Sequence, residues 1–445
     1  MSETQLADTP LPNTRYWAVK GVMEHTLRES LANEIHARPP PSLTAPCRIS
    51  FLALTSGERG GQRDRDHVVD LCRRFGVAEP PPAAIFWHVD VGPFRLNWER
   101  HNEFSAYWFI RQGAIVHPFR DCVIERVPAD WLADLAGELL VATHLELEHQ
   151  DAPERGNDDL NELFASDNLA ASIVAGGSAR VWTDFRLQGD GFSRILVRDQ
   201  NLTPRQAGRL AQRLFEIETY RMMALLGFPL ARQVSAQVSD AEAGLAQLTE
   251  RLSSSEGTSS DPELLDQVTA LAAEVERLSA AVNYRFNATR AYHALVQRRF
   301  QHLREQRFEG RSTLQEFMDR RLSPAMRTCD SVAERLAILS ERVGRAANLL
   351  RTRVDVAVSQ QNRDLLASMD RRAQIQLRLQ ETVEGLSVVV LSYYLSSLLG
   401  YGFKSLEQAG VPINATLATG LAVPIVVLTI WFGMRRLRSK MLADD

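Results

Sequence analysis

Lysine is almost missing from this chain: Lys20, Lys404 and Lys440 stand alone, and the other 48 basic residues are arginines. Genomic base composition explains such a skew more simply than chemistry does. Cysteine is sparse too. Cys47, Cys72, Cys122 and Cys329 are far apart and form no C-x-x-C pair, which excludes a zinc ribbon and a dithiol redox site. They are expected to be buried apolar thiols in a reducing compartment. Net charge is also small, at -4 over 445 residues, so no dominant basic surface exists for nucleic acid and none is expected as a partner. Phosphate-loop, dinucleotide, zinc-protease and serine-hydrolase signatures are all absent, so the chain is not expected to be an enzyme. Met1 to Trp17 has no basic stretch followed by an apolar run, and no signal peptide is predicted.

What the chain does have is two long apolar runs near its end. Nineteen uncharged residues separate Glu384 from Lys404, and twenty-seven separate Glu407 from Arg435. About twenty residues of helix span a bilayer core, so both qualify as transmembrane helices and the lipid bilayer is an expected partner. Arg371, Arg372 and Arg378 precede the first run, and Arg435, Arg436, Arg438 and Lys440 follow the second. The loop between the runs carries only Lys404 and Glu407. The positive-inside bias therefore predicts two spans in a bacterial inner membrane with both termini cytoplasmic. Within the first run, Gly385, Ser392, Ser396 and Gly400 are spaced seven, four and four apart, which puts small residues on one helical face. Close helix packing and a pore lining in an oligomer are both readings of that face.

Before the spans the pattern changes once. Up to about residue 202, short apolar or aromatic runs alternate with turn signals, at 48–54, 83–89, 94–101, 104–110, 181–187 and 192–198, the last two flanking a Gly-Asp-Gly hairpin signal. Helices are expected at 64–75 and at 129–146. From Thr203-Pro204 onward the sequence is helical, opening with a threonine cap and a proline in the first turn. Val234, Val238, Ala241, Leu245, Leu248 and Leu252 keep a four-three spacing. Leu264, Val268, Leu271, Val275, Leu278 and Val282 repeat it after a polar break, which predicts an antiparallel coiled-coil hairpin able to bind a protein partner. A break is expected from Gly310 to Pro324, followed by a helix of some seventy residues, on the order of 100 Å long, entering the membrane as a stalk. The expected class is α+β: a cytoplasmic α/β domain over 1–202, a helical hairpin and stalk over 203–382, two transmembrane helices over 383–434, and a basic tail over 435–445.

Two strings invite chemistry. Glu34-Ile35-His36-Ala37-Arg38-Pro39-Pro40 joins a metal- or anion-binding trio to a proline run that blocks helix. In Glu99-Arg100-His101-Asn102-Glu103, strand alternation puts Glu99, His101 and Glu103 on one face. If His36, His101 and Glu103 met, they would supply three metal ligands of a familiar type, for a divalent cation; no organic cofactor is expected. The alternative is that the histidines, eight of which precede residue 150, are structural hydrogen-bonders. Seven arginines between Arg285 and Arg311 face only Glu305 and Glu309 in that interval. They form either a solvated face paired with acids on a neighbouring helix or an anion-binding stripe.

The strings RESLANEIHARPP (28–40), WERHNEF (98–104), WTDFR (182–186) and ETVEGLSVVVLSYY (381–394) resemble those of the bacterial family known as domain of unknown function 3422. That resemblance implies a membrane-anchored protein and no assigned activity. A more distant resemblance, in architecture, is to the CorA magnesium transporters, which implies a homo-oligomer conducting or sensing a cation with a cytoplasmic regulatory domain. The Gly-Met-Asn motif of those proteins is replaced here by Gly400-Tyr401-Gly402-Phe403.

Overall fold

The computed structural model describes residues 25–28, 31–32, 38–55, 61–164, 168–254, 261–409 and 412–441. These residues form a mixed α+β protein. The strands are β1 (Cys47–Thr55), β2 (Phe86–Asp90), β3 (Arg95–Arg100), β4 (Phe104–Gln112), β5 (Glu138–Glu148), β6 (Ala170–Val174), β7 (Ala179–Thr183), β8 (Ser193–Asp199) and β9 (Gln306–Arg307). They make one sheet in the order β2-β3-β4-β1-β5-β8-β7-β6-β9. Every neighbouring pair is antiparallel except β5 with β8. Short helices α1 (Gly61–Phe75), α2 (Ala129–Ala133) and α3 (Asn157–Phe164) interrupt the strands, and long helices follow: α4 (Pro204–Leu225), α5 (Gly227–Ser254), α6 (Asp261–Leu303), α7 (Leu314–Gln408) and α8 (Ala415–Met441).

The chain divides into two compact units, the first reaching Leu248 and including Val268–Gly344, the second made of Thr249–Gln267 and the chain from Arg345 onward. In the first unit, alternation along the strands gives the sheet two different faces. On one face, Ile49, Phe51, Leu145 and Ile195 pack against Leu210, Leu214 and Phe215 of α4. Each such large side chain contributes about 1.5–3 kcal/mol by leaving water. On the other face, Leu52, Leu96, Trp98 and Phe109 pack with Val68 and Leu71 of α1 and with Trp131.

The middle of that second face is polar although it is buried. The register places Arg48 beside Glu146 and Ser50 beside His144 across β1 and β5, and Glu148 beside Arg198 across β5 and β8. Arg48 Nε lies 3.6 Å from Glu146 Oε2, and Arg198 Nη2 donates to Glu148 Oε2 at 3.1 Å. The His144 ring stacks on Phe192 at 3.9 Å and shares a 3.0 Å hydrogen bond with Ser50 Oγ. Burial pushes the His144 imidazole down to about 4 and the Glu146 carboxyl up to about 8, the latter despite Arg48. His144 is thus a neutral hydrogen-bonding histidine at neutral pH, in line with the structural reading of the scattered histidines.

The strands expected at 48–54, 94–101 and 104–110 and the hairpin of 181–187 with 192–198 are found. The helix expected over 129–146 is not: α2 stops at Ala133, and Glu138–Glu148 is the central strand β5. The run is rich in Leu, Ala and Glu, which favour helix, but tertiary pairing on both sides overrides that preference. Pro324 also ends nothing. It sits about three turns into α7, which begins at Leu314 and runs 95 residues.

Helix α4 starts as the sequence says, with Thr203 and Gln206 closing a capping box around Pro204. In the first unit Thr289 of α6 donates through Oγ1 to the Ala224 carbonyl of α4 at 3.0 Å, and Gly227 at the start of α5 is so close that an added Cβ would lie 2.4 Å from that hydroxyl. In the second unit Arg251 donates to Gln267 at 2.8 Å. Val234, Val238, Ala241, Leu245, Val268, Val275, Leu278 and Val282 are buried, whereas Leu248 and Leu271 are only half-buried. Arg335 to Glu242 and Arg290 to Asp330 add the first part of α7 to this bundle.

Leu278→Ala should therefore lower stability by roughly 2–4 kcal/mol, while Leu271→Ala should lower it by about 1 kcal/mol or less, read from thermal melts of the two variants. Glu146 sets a pH dependence. Its folded pKa is raised above the ordinary 4.5, so its stabilising neutral form is fully present below that value and is lost as pH rises through about 8. Melting temperatures of Glu146→Gln should fall less than those of the parent between about pH 5 and pH 8, and parallel curves would show that the carboxyl is already ionised throughout.

Candidate functional site

Strand β3 ends at Arg100, and the chain turns through His101, Asn102 and Glu103 into β4. The turn closes by a 2.8 Å bond from His101 N to the Phe104 carbonyl. Alternation holds for Glu99 and His101, which both face α4. His101 Nε2 lies 3.6 Å from Glu99 Oε2, and its ring stacks on Phe104 at 4.3 Å. From α4, Glu216, Thr219 and Tyr220 face the same space, a cavity of about 20 Å³ shared with Phe51 and Trp108. That is room for one water-sized species. Glu99 Oε1 and Thr219 Oγ1 are buried without a hydrogen-bond partner among the described residues. Arg299 of α6 forms an ion pair with Glu216. Burial nevertheless raises the Glu216 carboxyl above its usual range and pushes the Tyr220 phenol up to about 12.

Glu103 does not join this cluster. At the end of the turn it points to α6, where Arg285 Nη2 donates to its Oε2 at 3.0 Å and the Tyr284 hydroxyl donates to its Oε1. Those hydrogen bonds hold the Glu103 carboxyl below its usual range against the opposing effect of burial, which is the largest single influence. Its cavity is larger, about 570 Å³, and includes Thr55, Glu138 and Met223. His36 lies outside the described residues. Of the three ligands considered together from sequence, the structure thus places His101 and Glu103 in separate environments, each with its own partner. Among the described residues no group of three or more His, Cys, Asp or Glu side chains is arranged to hold a metal ion.

A strap binds the two sequence strings together. Arg38, from the proline-rich string, donates through Nε at 3.2 Å and Nη2 at 3.0 Å to the carbonyl of Arg100. Arg95 donates to the Ser42 carbonyl at 3.0 Å, and Leu43 N donates to the Pro204 carbonyl at 3.0 Å. Pro41 then lies against Gly208 of α4, where an added Cβ would stand 1.6 Å from the Pro41 oxygen. Only glycine allows that approach. Glu216, Thr219 and Tyr220 escaped the sequence reading. Their one signal was polarity on the buried face of α4, where Leu210, Leu214 and Ile217 mark the apolar stripe.

The small face of the first apolar run has an occupant. Gly400 packs against Thr419 of α8, with 3.3 Å left to the Thr419 methyl for an added Cβ. Ser392 is buried, Ser396 and Gly400 are half-buried, and Gly385 borders a 330 Å³ surface cavity with Trp431 and Met434. Gly400 opposite Thr419 and Val388 near Trp431 make the two helices antiparallel. The Ser392 and Ser396 hydroxyls have no hydrogen-bond partner among the described residues. Leu386, Val389, Tyr393, Leu398 and Tyr401 are exposed on the other sides. Both helices are long and apolar enough to cross a membrane, and their apolar windows are exposed almost throughout.

Gly208→Ala should displace the strap, with a loss of roughly 1–3 kcal/mol from overpacking and faster exchange of the Leu43 amide, which donates to the Pro204 carbonyl. Unchanged exchange there would mean that α4 moves instead of the strap.

Comparison with known proteins adds little chemistry. No curated protein matches the chain. Among solved structures, the structure of the full-length CmaX protein is similar at 15% identity over 67% of this chain and 89% of that chain, with a TM-score of 0.18, and nothing is carried over from it. A family profile described as protein of unknown function (DUF3422) matches residues 23–441. The chain therefore belongs to that family, DUF3422.

Proposed function

We propose that this protein is a non-enzymatic inner-membrane protein with both termini in the cytoplasm, whose two C-terminal helices anchor a sensing or scaffolding domain rather than conduct ions. One observation carries the reading: on the small face of the first span Gly400 packs against Thr419 of α8 of the same chain and Ser392 is buried, while large apolar side chains make up most of the exposed surface. Lipid offers no hydrophobic drive for helix pairing, so small residues that let backbones approach supply the attraction. The arginines flanking the spans support the orientation. Between residues 354 and 383, α7 exposes Val356, Leu365, Leu366, Met369, Ile375 and Leu379, which supports self-association or binding of a protein partner through this helical region.

A CorA-like, homo-oligomeric cation path is the second reading, favoured by the buried unpaired hydroxyls of Ser392 and Ser396. Ion flux into liposomes holding the purified protein separates the two. The anchor reading expects no flux of monovalent or divalent cations, normal behaviour of Ser396→Ala, and loss of folded protein in Ser396→Leu because a leucine there forces the helices apart. Flux in the parent that changes with Ser396→Ala would establish the conducting reading instead. Reporters active only in the cytoplasm, fused to either terminus, should both be active; a silent fusion would refute the two-span topology.

A further inference from the structure

Most of the seven arginines between Arg285 and Arg311 do pair with neighbours. Arg285 meets Glu103 at 3.0 Å, Arg290 meets Asp330 at 2.7 Å, Arg299 pairs with Glu216, Arg307 pairs with Glu316, and Arg311 donates to Asn157. Arg298 and Arg304 form no ion pair among the described residues. Arg304 follows the last turn of α6 in a left-handed conformation, φ 53°, unusual for a residue with a side chain. It lines a cavity of about 320 Å³ together with Arg209 and Arg213 of α4, His302, Gln206 and Gln301.

Neither Arg209 nor Arg213 forms an ion pair among the described residues either. Arg213 Nη1 donates to the His302 carbonyl at 3.2 Å, near the C-terminal end of α6. That contact is the simpler explanation of a cation here, because a helix C-terminus carries about half a negative charge. It is too small. Three guanidinium groups bring about three positive charges, so more than two remain without a counter-charge. Burial, and then Arg209, Arg299 and Arg304, hold Arg213 below the usual arginine range, and Glu216, which opposes them, is committed to Arg299. Arg209 and Arg304 are exposed, so water screens part of their repulsion, whereas half-buried Arg213 has less of that relief and no ion-pair partner among the described residues, and an anion joining the three would supply one.

We propose that this cavity, between α4 and the end of α6, binds an anion bearing one or more phosphoryl groups, held by Arg209, Arg213 and Arg304. Guanidinium forks match phosphate oxygens in pairs, and the two glutamine amides add neutral donors. The volume is at the small end of ligand sites, which suits a diphosphate or a phosphorylated fragment. The site lies wholly within the first unit and does not depend on whether the spans conduct.

Calorimetric titration of the full-length protein in detergent with inorganic pyrophosphate, at fixed ionic strength, tests this. One saturable site per chain is expected, with affinity falling at least about tenfold in Arg209→Gln and in Arg213→Gln. Arg298→Gln, outside the cavity on the same helix, should bind like the parent. Arg304→Gly keeps the left-handed backbone unstrained and should also weaken binding, so loss of affinity is readable even where Arg213→Gln proves unstable in a thermal melt. Repeating the titration in nanodiscs with and without phosphatidic acid assigns the source. Pyrophosphate affinity lowered by that lipid identifies a headgroup ligand, and unchanged affinity identifies a soluble one. Absence of saturable binding in the parent, or affinity unchanged in all three cavity variants, overturns the proposal.

Discussion

The sheet depends on the register of β5. This strand pairs antiparallel with β1 and parallel with β8, and so joins two antiparallel halves into one sheet. Its even positions carry His144, Glu146 and Glu148, and its odd positions carry Val141, Leu145 and Leu147. A slip of one residue would exchange the two sets. Three ionisable groups would then enter the apolar layer under α4, and Arg48, Ser50 and Arg198 would lose their partners. Buried Arg48 and Arg198 left without partners would be far costlier than a lost apolar contact, so this polar row specifies pairing even where it adds little net stability.

The same strand shows where the sequence is hard to read. β1, β3 and β4 are legible because aromatic and β-branched residues dominate them, as in Phe104–Gln112. β5 is written in Leu, Ala, Thr and Glu, and both of its faces are buried by pairing that no local pattern encodes. Pro324 misleads in the opposite direction: inside α7 it removes one N–H from the helix ladder, but Phe317, Met318, Leu322, Ala325 and Met326 around it are packed in the core and hold the helix through that local loss, so a proline that looks like a boundary is none. At the candidate site, the Glu99 and His101 pairing follows directly from strand alternation. Glu103 departs from that face because the strand ends first, and turn geometry rather than period decides where its carboxylate goes. Glu216 and Arg299 come from elements more than a hundred residues downstream, so only the packing of α4 and α6 could unite them with His101.

The two terminal helices follow another rule. In water, a stripe of glycine and serine would be a weak contact, since it buries little apolar area. Between apolar helices in lipid the ranking reverses, and Gly400 against Thr419 becomes a favourable surface because nothing larger could come so close. The spacing of those residues was visible in the sequence, and their occupant was not.

The contact between Pro41 and Gly208 has a mechanical meaning. The strap oxygen fills the volume of a missing methyl, and the positions one turn away on the same face of α4, Pro204, Arg205, Ala211 and Gln212, all carry a Cβ. The strap therefore has no second resting place along that helix and cannot creep from one site to the next. Release would also free the Arg100 carbonyl from Arg38, at the mouth of the turn that carries His101. Whatever displaces that single proline would thus be felt at the turn as well, because one short strap carries both contacts.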